Sequence, residues 1–167
     1  VCQMFDTMKK EISDWTDEEE VRSYLNKLLD KKAFDNSGLI YGIGHAVYTV
    51  SDPRANIFRK FVAQLAKEKG RLKEFDLYAN VANIAPQVIA ERKISQKKVS
   101  ANIDFYSGFV YSMLDLPLEL YTPIFAIARI AGWSAHRIEE LVNSSKIIRP
   151  AYLSVQPEID YTKLNDR

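Results

Sequence analysis

Apolar residues recur along this chain with the period of an α-helix, in one segment after another. In the clearest segment Val21, Tyr24, Leu25, Leu28 and Leu29 follow the three- and four-residue spacing that places side chains on one helical face. Similar stripes precede and follow it, and no segment convincingly alternates polar and apolar residues as a half-buried strand does. Because the stripes amount to six or seven helices, the sequence predicts an all-α fold.

Length and charge exclude several other classes of protein. The 167 residues are 47% hydrophobic, enough for a sizeable core in one domain. With 23 Lys and Arg against 22 Asp and Glu, the net charge of +1 favours neither a nucleic-acid nor a membrane partner. No apolar run approaches the roughly 20 residues of a membrane-spanning helix. The lone Cys2 cannot form an internal disulfide, which suits a reducing compartment.

Several residues predict where helices begin or end. Thr16 and Glu19 have the spacing of a capping box, and Asp52, followed by a proline, has the character of an N-cap. Pro86 lacks an amide hydrogen and therefore predicts a kink or a break in its helix. Ser134 is a candidate N-cap for a separate helix near the end of the chain.

A cluster of glycines precedes the first candidate for chemistry. Three of the chain's six glycines lie within seven positions: Gly38, Gly42 and Gly44. This density indicates a backbone that needs conformational freedom or closely approaches a ligand. His45 follows directly, but Val47 replaces the third glycine of a dinucleotide-binding loop. His136, the other histidine, has no cysteine cluster around it, so we expect no metal site. A core or loop histidine remains the alternative for His45.

A second candidate is Asp104, which lies in the segment Asn-Ile-Asp-Phe-Tyr at residues 102–106. Aromatic neighbours would remove water from the carboxylate and make it a stronger base, as proton abstraction requires. The alternative is an aspartate whose charge is satisfied at the N-terminus of a helix.

Three arginines form a third candidate group. Arg129 is the single charge in the apolar stretch 124–130, and a lone cation is costly to bury. Its partner would be an internal carboxylate or a carboxylate ligand. Together with Arg54 and Arg149, it suggests a small acid that carries two or three carboxylates. For each arginine alone, a structural salt bridge is the alternative.

These candidates lie in motifs that resemble those of citrate synthases. Residues 42–48, Gly-Ile-Gly-His-Ala-Val-Tyr, followed by Asp-Pro-Arg at 52–54, resemble the family's histidine and D-P-R stretch. Residues 102–108, Asn-Ile-Asp-Phe-Tyr-Ser-Gly, resemble its N-V-D-x-x-S-G segment. Residues 125–136 and 148–150 are similar to its C-terminal arginine motifs. The order and spacing of these motifs agree over essentially the whole chain.

The resemblance implies an architecture and an assembly. Residues 1–115 would form most of the small domain that closes over the substrates, and residues 116–167 would return to the large domain and the dimer region. The chain would be the C-terminal portion of a bacterial-type subunit, less than half of its length. The parent enzyme is expected to be a homodimer in the bacterial cytoplasm.

The resemblance also implies an acyltransferase reaction of the tricarboxylic acid cycle, in which acetyl-CoA and oxaloacetate give citrate and CoA. Asp104 matches the base that removes the methyl proton, and His45 matches the histidine that hydrogen-bonds the oxaloacetate carbonyl. Arg54 and Arg129 match arginines that bind its carboxylates. Arg149 matches an arginine that the neighbouring subunit supplies across the dimer interface.

CoA would bind through a backbone loop and would be a substrate and product rather than a cofactor. The loop residues are Leu39, Ile40, Tyr41, Gly42, Ile43 and Gly44, which match the backbone that surrounds the CoA adenine in the family. We expect no metal and no other cofactor.

The chain departs from the family in one respect that matters for activity. The family stabilises the enol of acetyl-CoA with a histidine in a leucine-histidine-glycine-glycine segment, and these 167 residues contain no such segment. His136 does not match it, so we expect this chain alone to be inactive. Two alternatives stay open: a 2-methylcitrate synthase, which uses propionyl-CoA, and a non-catalytic CoA-binding fragment.

Overall fold

The computed structural model describes residues 1–92, 94, 98–143, 157, 159, 162, 163 and 165, and it confirms the all-α class. The described residues form six α-helices: α1 (Cys2–Glu11), α2 (Glu18–Leu29), α3 (Pro53–Glu68), α4 (Leu72–Glu91), α5 (Ile103–Met113) and α6 (Tyr121–Asn143). A single 3₁₀ turn, Leu118–Leu120, precedes α6. The chain divides into two compact units, Val1–Phe125 and Ala126–Arg167. The proposed division at residue 115 stays a prediction.

The start of α2 differs from the predicted capping box. Asp17 is the N-cap, and its carboxylate accepts hydrogen bonds from the backbone amides of Glu19 and Glu20. Thr16 instead donates its hydroxyl to Asp14 at 2.7 Å. The predicted roles of Thr16 and Glu19 are therefore wrong by one position, because an aspartate one residue later satisfies the same free amides.

The core of the first unit is built around an aromatic stack. Tyr78 of α4 lies between Phe5 of α1, with ring centroids 3.6 Å apart, and Phe109 of α5, at 4.7 Å. Phe105 of α5 meets both Phe5 and Tyr78 edge to face. α2 packs along α4, and α3 packs against both α4 and α5. These contacts hold the N-terminus of α5 beside the loop that precedes α3.

A break at Pro86 and a helix start at Ser134 are not observed. α4 continues through Pro86, whose neighbour Ala85 is fully buried, so packing offsets the hydrogen bond that proline cannot donate. α6 likewise runs without interruption past Gly132 and Ser134, and the expected separate helix beginning at Ser134 is wrong. In the part of the chain that the structure describes, no helix is both long and apolar enough to cross a membrane.

Candidate functional site

The glycine-rich loop is joined to the residues just before α5 by a short backbone ladder. Ile43 and Ala101 form an isolated antiparallel bridge. On one side of it the Gly44 amide donates to the Ser100 carbonyl at 2.8 Å. On the other, the Asn102 amide donates to the carbonyl of Gly42 at 2.9 Å. The loop that carries His45 is therefore fixed to the segment that begins the helix of Asp104.

Gly42 is required where the loop crosses α5. Its φ of +87° lies in the left-handed region, which side chains with a Cβ rarely adopt. A Cβ at this position would also lie 2.9 Å from Cδ2 and 3.0 Å from Cα of Phe105. The expectation that the backbone here makes a close approach is confirmed, but the approached group is a helix of the same chain.

Asn102 adds a side-chain bridge that the sequence motifs did not assign. It is the N-cap of α5, where its side-chain oxygen accepts the Asp104 amide at 3.0 Å. Its side-chain nitrogen donates to the Gly44 carbonyl at 2.8 Å. The capping role could have been predicted, because an asparagine directly before an apolar helix is a typical N-cap. The hydrogen bond to Gly44 could not, because it joins residues 58 positions apart.

His45 has a defined tautomer. Its side chain is exposed, and Nδ1 accepts hydrogen bonds from the backbone amides of Val47 at 3.0 Å and Tyr48 at 3.2 Å. Because an accepting ring nitrogen carries no hydrogen, we assign the proton to Nε2. Nε2 lies 3.4 Å from Nη2 of Arg54, so both groups present donors in the same place.

Arg54 has an internal carboxylate partner, Asp52. The Arg54 side chain donates Nε–H to one Asp52 oxygen at 3.0 Å and Nη2–H to the other at 2.8 Å. These hydrogen bonds lower the pKa of the buried Asp52 carboxyl to about 2. They also raise the pKa of Arg54, and the charge of Asp104 contributes in the same direction. The salt-bridge alternative thus holds for Arg54, although 49% of its side chain stays exposed.

The structure corrects the expected surroundings of Asp104. The carboxylate is exposed in the first turn of α5, whereas three of the four aromatic side chains of this helix turn into the core, so the predicted desolvation is wrong. Asp104 instead lines an open cavity of about 300 Å³, together with Ser107, Tyr111 and Phe125 among other residues. A base at this position can be reached by a substrate from solvent.

The other predicted site residues are placed as follows. Of the loop residues from Leu39 to Gly44, Leu39 is exposed and Ile40 is buried, and Tyr41 donates its hydroxyl to Asp35 at 2.6 Å. Arg129 lies in α6 within the second unit and is exposed, so its expected burial is wrong. Arg149 lies outside the described residues. The described residues contain no group of three or more histidine, cysteine, aspartate or glutamate side chains suited to a metal ion.

Comparison with known proteins identifies the family. Residues 1–151 match the model of the citrate synthase C-terminal domain. The chain belongs to the citrate synthase family. A citrate synthase from Synechocystis sp. is 40% identical over 150 residues, covering 89% of this chain and 35% of the relative. A 2-methylcitrate synthase from Shewanella oneidensis is 35% identical over 148 residues, covering 87% and 36%.

The fold agrees with that of solved citrate synthases. The structure of the Thermoplasma acidophilum citrate synthase in ternary complex with carboxymethyl coenzyme A and oxaloacetate superposes with a TM-score of 0.63 at 27% identity. The match covers 98% of this chain and 41% of that one. The chain thus spans only 35–41% of the length of these three relatives.

Proposed function

We propose that this chain supplies the oxaloacetate-binding and proton-abstracting groups of an enzyme that condenses acetyl-CoA with oxaloacetate. One observation carries the proposal. The Nε2–H of His45 lies beside the guanidinium of Arg54, and the loop that carries His45 is bonded to the start of the helix carrying Asp104. This arrangement suits an anionic ketone on one side and a C–H acid on the other.

His45 and Arg54 would bind oxaloacetate. Arg54 has N–H groups that Asp52 does not use, and a guanidinium edge is a strong donor to a carboxylate. His45 would donate Nε2–H to the ketone oxygen, where negative charge develops as the new carbon–carbon bond forms. Arg129, and Arg149 from a neighbouring subunit of a homodimer, would hold the remaining negative charge.

Asp104 would act as the base. Its carboxylate would take a proton from the methyl carbon of acetyl-CoA, and the resulting enolate would attack the ketone carbon of oxaloacetate. The ketone oxygen would become the citrate hydroxyl with the proton that His45 donates. Water would then hydrolyse the thioester to release citrate and CoA. The exposed position of Asp104 at the wall of the cavity supports access for this substrate.

CoA would contact the loop Leu39–Gly44 through backbone groups. The support for both substrates is the fold shared with the Thermoplasma acidophilum enzyme, which binds a CoA analogue together with oxaloacetate. This chain supplies one of the family's two catalytic histidines. We therefore expect the 167 residues alone to bind oxaloacetate without forming citrate.

Replacement of the base tests the proposal in the complete subunit that contains these residues. Asp104→Asn should lower kcat for citrate formation about 10²–10⁴-fold while oxaloacetate affinity stays within twofold, because only the proton transfer is lost. Asp76→Asn is the matched control, since Asp76 is also an exposed aspartate on a helix of the first unit. Activity within tenfold of the wild type in Asp104→Asn would show that another group is the base.

A second candidate, 2-methylcitrate synthesis from propionyl-CoA, is favoured by the Shewanella oneidensis relative. The two reactions differ by one methylene in the acyl group, for which a pocket discriminates by about 1–3 kcal/mol. The ratio of kcat/KM for acetyl-CoA and propionyl-CoA decides between them. A ratio above about tenfold in either direction would assign the substrate.

A further inference from the structure

We propose that Asp52 is a positioning residue: it holds Arg54 by one edge, so that the other edge is presented to the substrate carboxylate. The same carboxylate ties the loop of His45 to the helix of Asp104. This inference rests on the proposed function for the identity of the ligand, but its geometric part concerns only the residues of this chain.

The Asp52 carboxylate is surrounded by donors and almost closed to water. Its side chain is 1% exposed, and it accepts four hydrogen bonds. Three come from Arg54, from the backbone amide at 3.0 Å, from Nε at 3.0 Å and from Nη2 at 2.8 Å. The fourth comes from the backbone amide of Ile103 at 3.2 Å. A buried carboxylate with this many partners has one accessible orientation.

The side-on contact leaves part of the guanidinium free. Arg54 has five N–H donors in a planar fork, and Asp52 engages Nε–H and one hydrogen of Nη2. Among the described residues no partner engages the two Nη1 donors, which remain for a ligand, and Nη2 lies 3.4 Å from Nε2 of His45. The ring of Tyr48 lies 5.0 Å from the guanidinium carbon and limits its rotation further.

The contact with Ile103 connects the two halves of the site. Ile103 is the first residue of α5, and Asp104 follows it directly. One carboxylate therefore fixes both the substrate-binding arginine and the start of the helix that carries the base. A displacement of Arg54 or of the start of α5 would change the distance between the two bound substrates. Such misplacement of reacting groups strongly lowers the reaction rate.

Asp52 is also the N-cap of α3, so its positioning role must be separated from capping. Asparagine is as good an N-cap as aspartate, because its side-chain oxygen still accepts the amide. However, Asp52→Asn places an N–H₂ group against the remaining donors. Asp17→Asn is the matched control, since Asp17 caps α2 with two amides and has no arginine partner in the described structure. Asp52→Ser is a second variant that keeps the cap but is too short to span the guanidinium.

The first measurement needs no substrate. The ¹⁵N–¹H nuclear Overhauser effect of the Arg54 Nε–H should show a rigid side chain in the wild type and in Asp17→Asn. In Asp52→Asn and Asp52→Ser it should fall to the value of Arg59, an exposed arginine on the same helix. Circular dichroism confirms that each variant is folded. If Arg54 is mobile in the wild type, or equally rigid in folded Asp52 variants, the proposal is overturned.

The second measurement concerns the ligand, in the complete subunit. Asp52→Asn should weaken oxaloacetate binding about tenfold to a hundredfold and leave the KM for acetyl-CoA unchanged. Arg54→Met should weaken it as much, and the double variant should be no weaker than Arg54→Met alone. Additive losses would overturn action through Arg54. A wild type with rigid Arg54 that does not bind oxaloacetate would instead refute the proposed function and leave the positioning of Arg54 by Asp52 established.

Discussion

Replacement of Gly42 by alanine tests how the substrate loop is fixed to α5. The left-handed backbone at φ +87° costs a residue with a Cβ about 1–2 kcal/mol. The new Cβ would also overlap Phe105, with 2.9 Å to its ring and 3.0 Å to its Cα. Overpacking of this kind costs about 1–3 kcal/mol, because a backbone atom cannot rotate away. We therefore expect the free energy of unfolding to fall by about 2–5 kcal/mol.

Gly70 provides the matched control. Its φ is +67°, and a Cβ there would meet no atom within 4 Å, so Gly70→Ala carries the backbone cost alone. Urea unfolding followed by the fluorescence of Trp15, in a Trp133→Phe background, reports on the first unit, because Trp15 packs against its core. Gly42→Ala should be less stable than Gly70→Ala by about 1–3 kcal/mol. Equal losses in the two variants would refute the role of the contact with Phe105.

Three further predictions concern one helical glycine in each unit and one ion pair of the first unit. Gly108→Ala should lower the free energy of unfolding by about 1–3 kcal/mol, because its Cβ would overlap Sγ of Cys2. Gly132→Ala lies in open space and should stabilise α6 by up to about 1 kcal/mol. Urea unfolding measures both changes, and a Cys2→Ala background should abolish the loss caused by Gly108→Ala. The Arg71 side chain lowers the pKa of Glu74 below its ordinary value of 4.5 by hydrogen bonding. The ionised Glu74 therefore stabilises the folded protein fully above pH 4.5, and this contribution is lost as the pH falls through the lower pKa of the folded state. Between pH 7 and pH 3 the unfolding temperature of Glu74→Gln should fall less than that of the wild type. An identical fall in both proteins would contradict the pairing of Glu74 with Arg71.

The sequence predicted helices well where packing and local pattern agree. The stripe of α2 is buried as expected, with Val21 and Leu25 fully inaccessible to solvent. Breaks were predicted too readily. Pro86 removes one backbone hydrogen bond from a helix that is buried along one side. Gly132, two residues before the expected helix start at Ser134, costs its helix only about 1 kcal/mol. Neither cost is large enough to end a long helix.

The structure brings two of the predicted site residues together and corrects the expected surroundings of a third. His45 and Arg54 lie together. The aromatic residues next to Asp104 in the sequence suggested that it is buried, but its side chain is exposed. Residues 105, 106 and 109 share the buried face of α5, and the helical period places residue 104 outside that face. The hydrogen bond from Ile103 to Asp52 was missed because it joins residues 51 positions apart in the chain.

The bridge between Gly44 and Asn102 also sets the order in which the site can form during synthesis. The two residues are 58 positions apart. At about 5–20 residues per second, a ribosome needs about 3–12 s to add those 58 residues. For that time the loop with His45 is already made while its partners at the start of α5 do not yet exist. The nascent loop therefore stays open until α3 and α4, which lie between them in the chain, have been synthesised and the start of α5 can reach it.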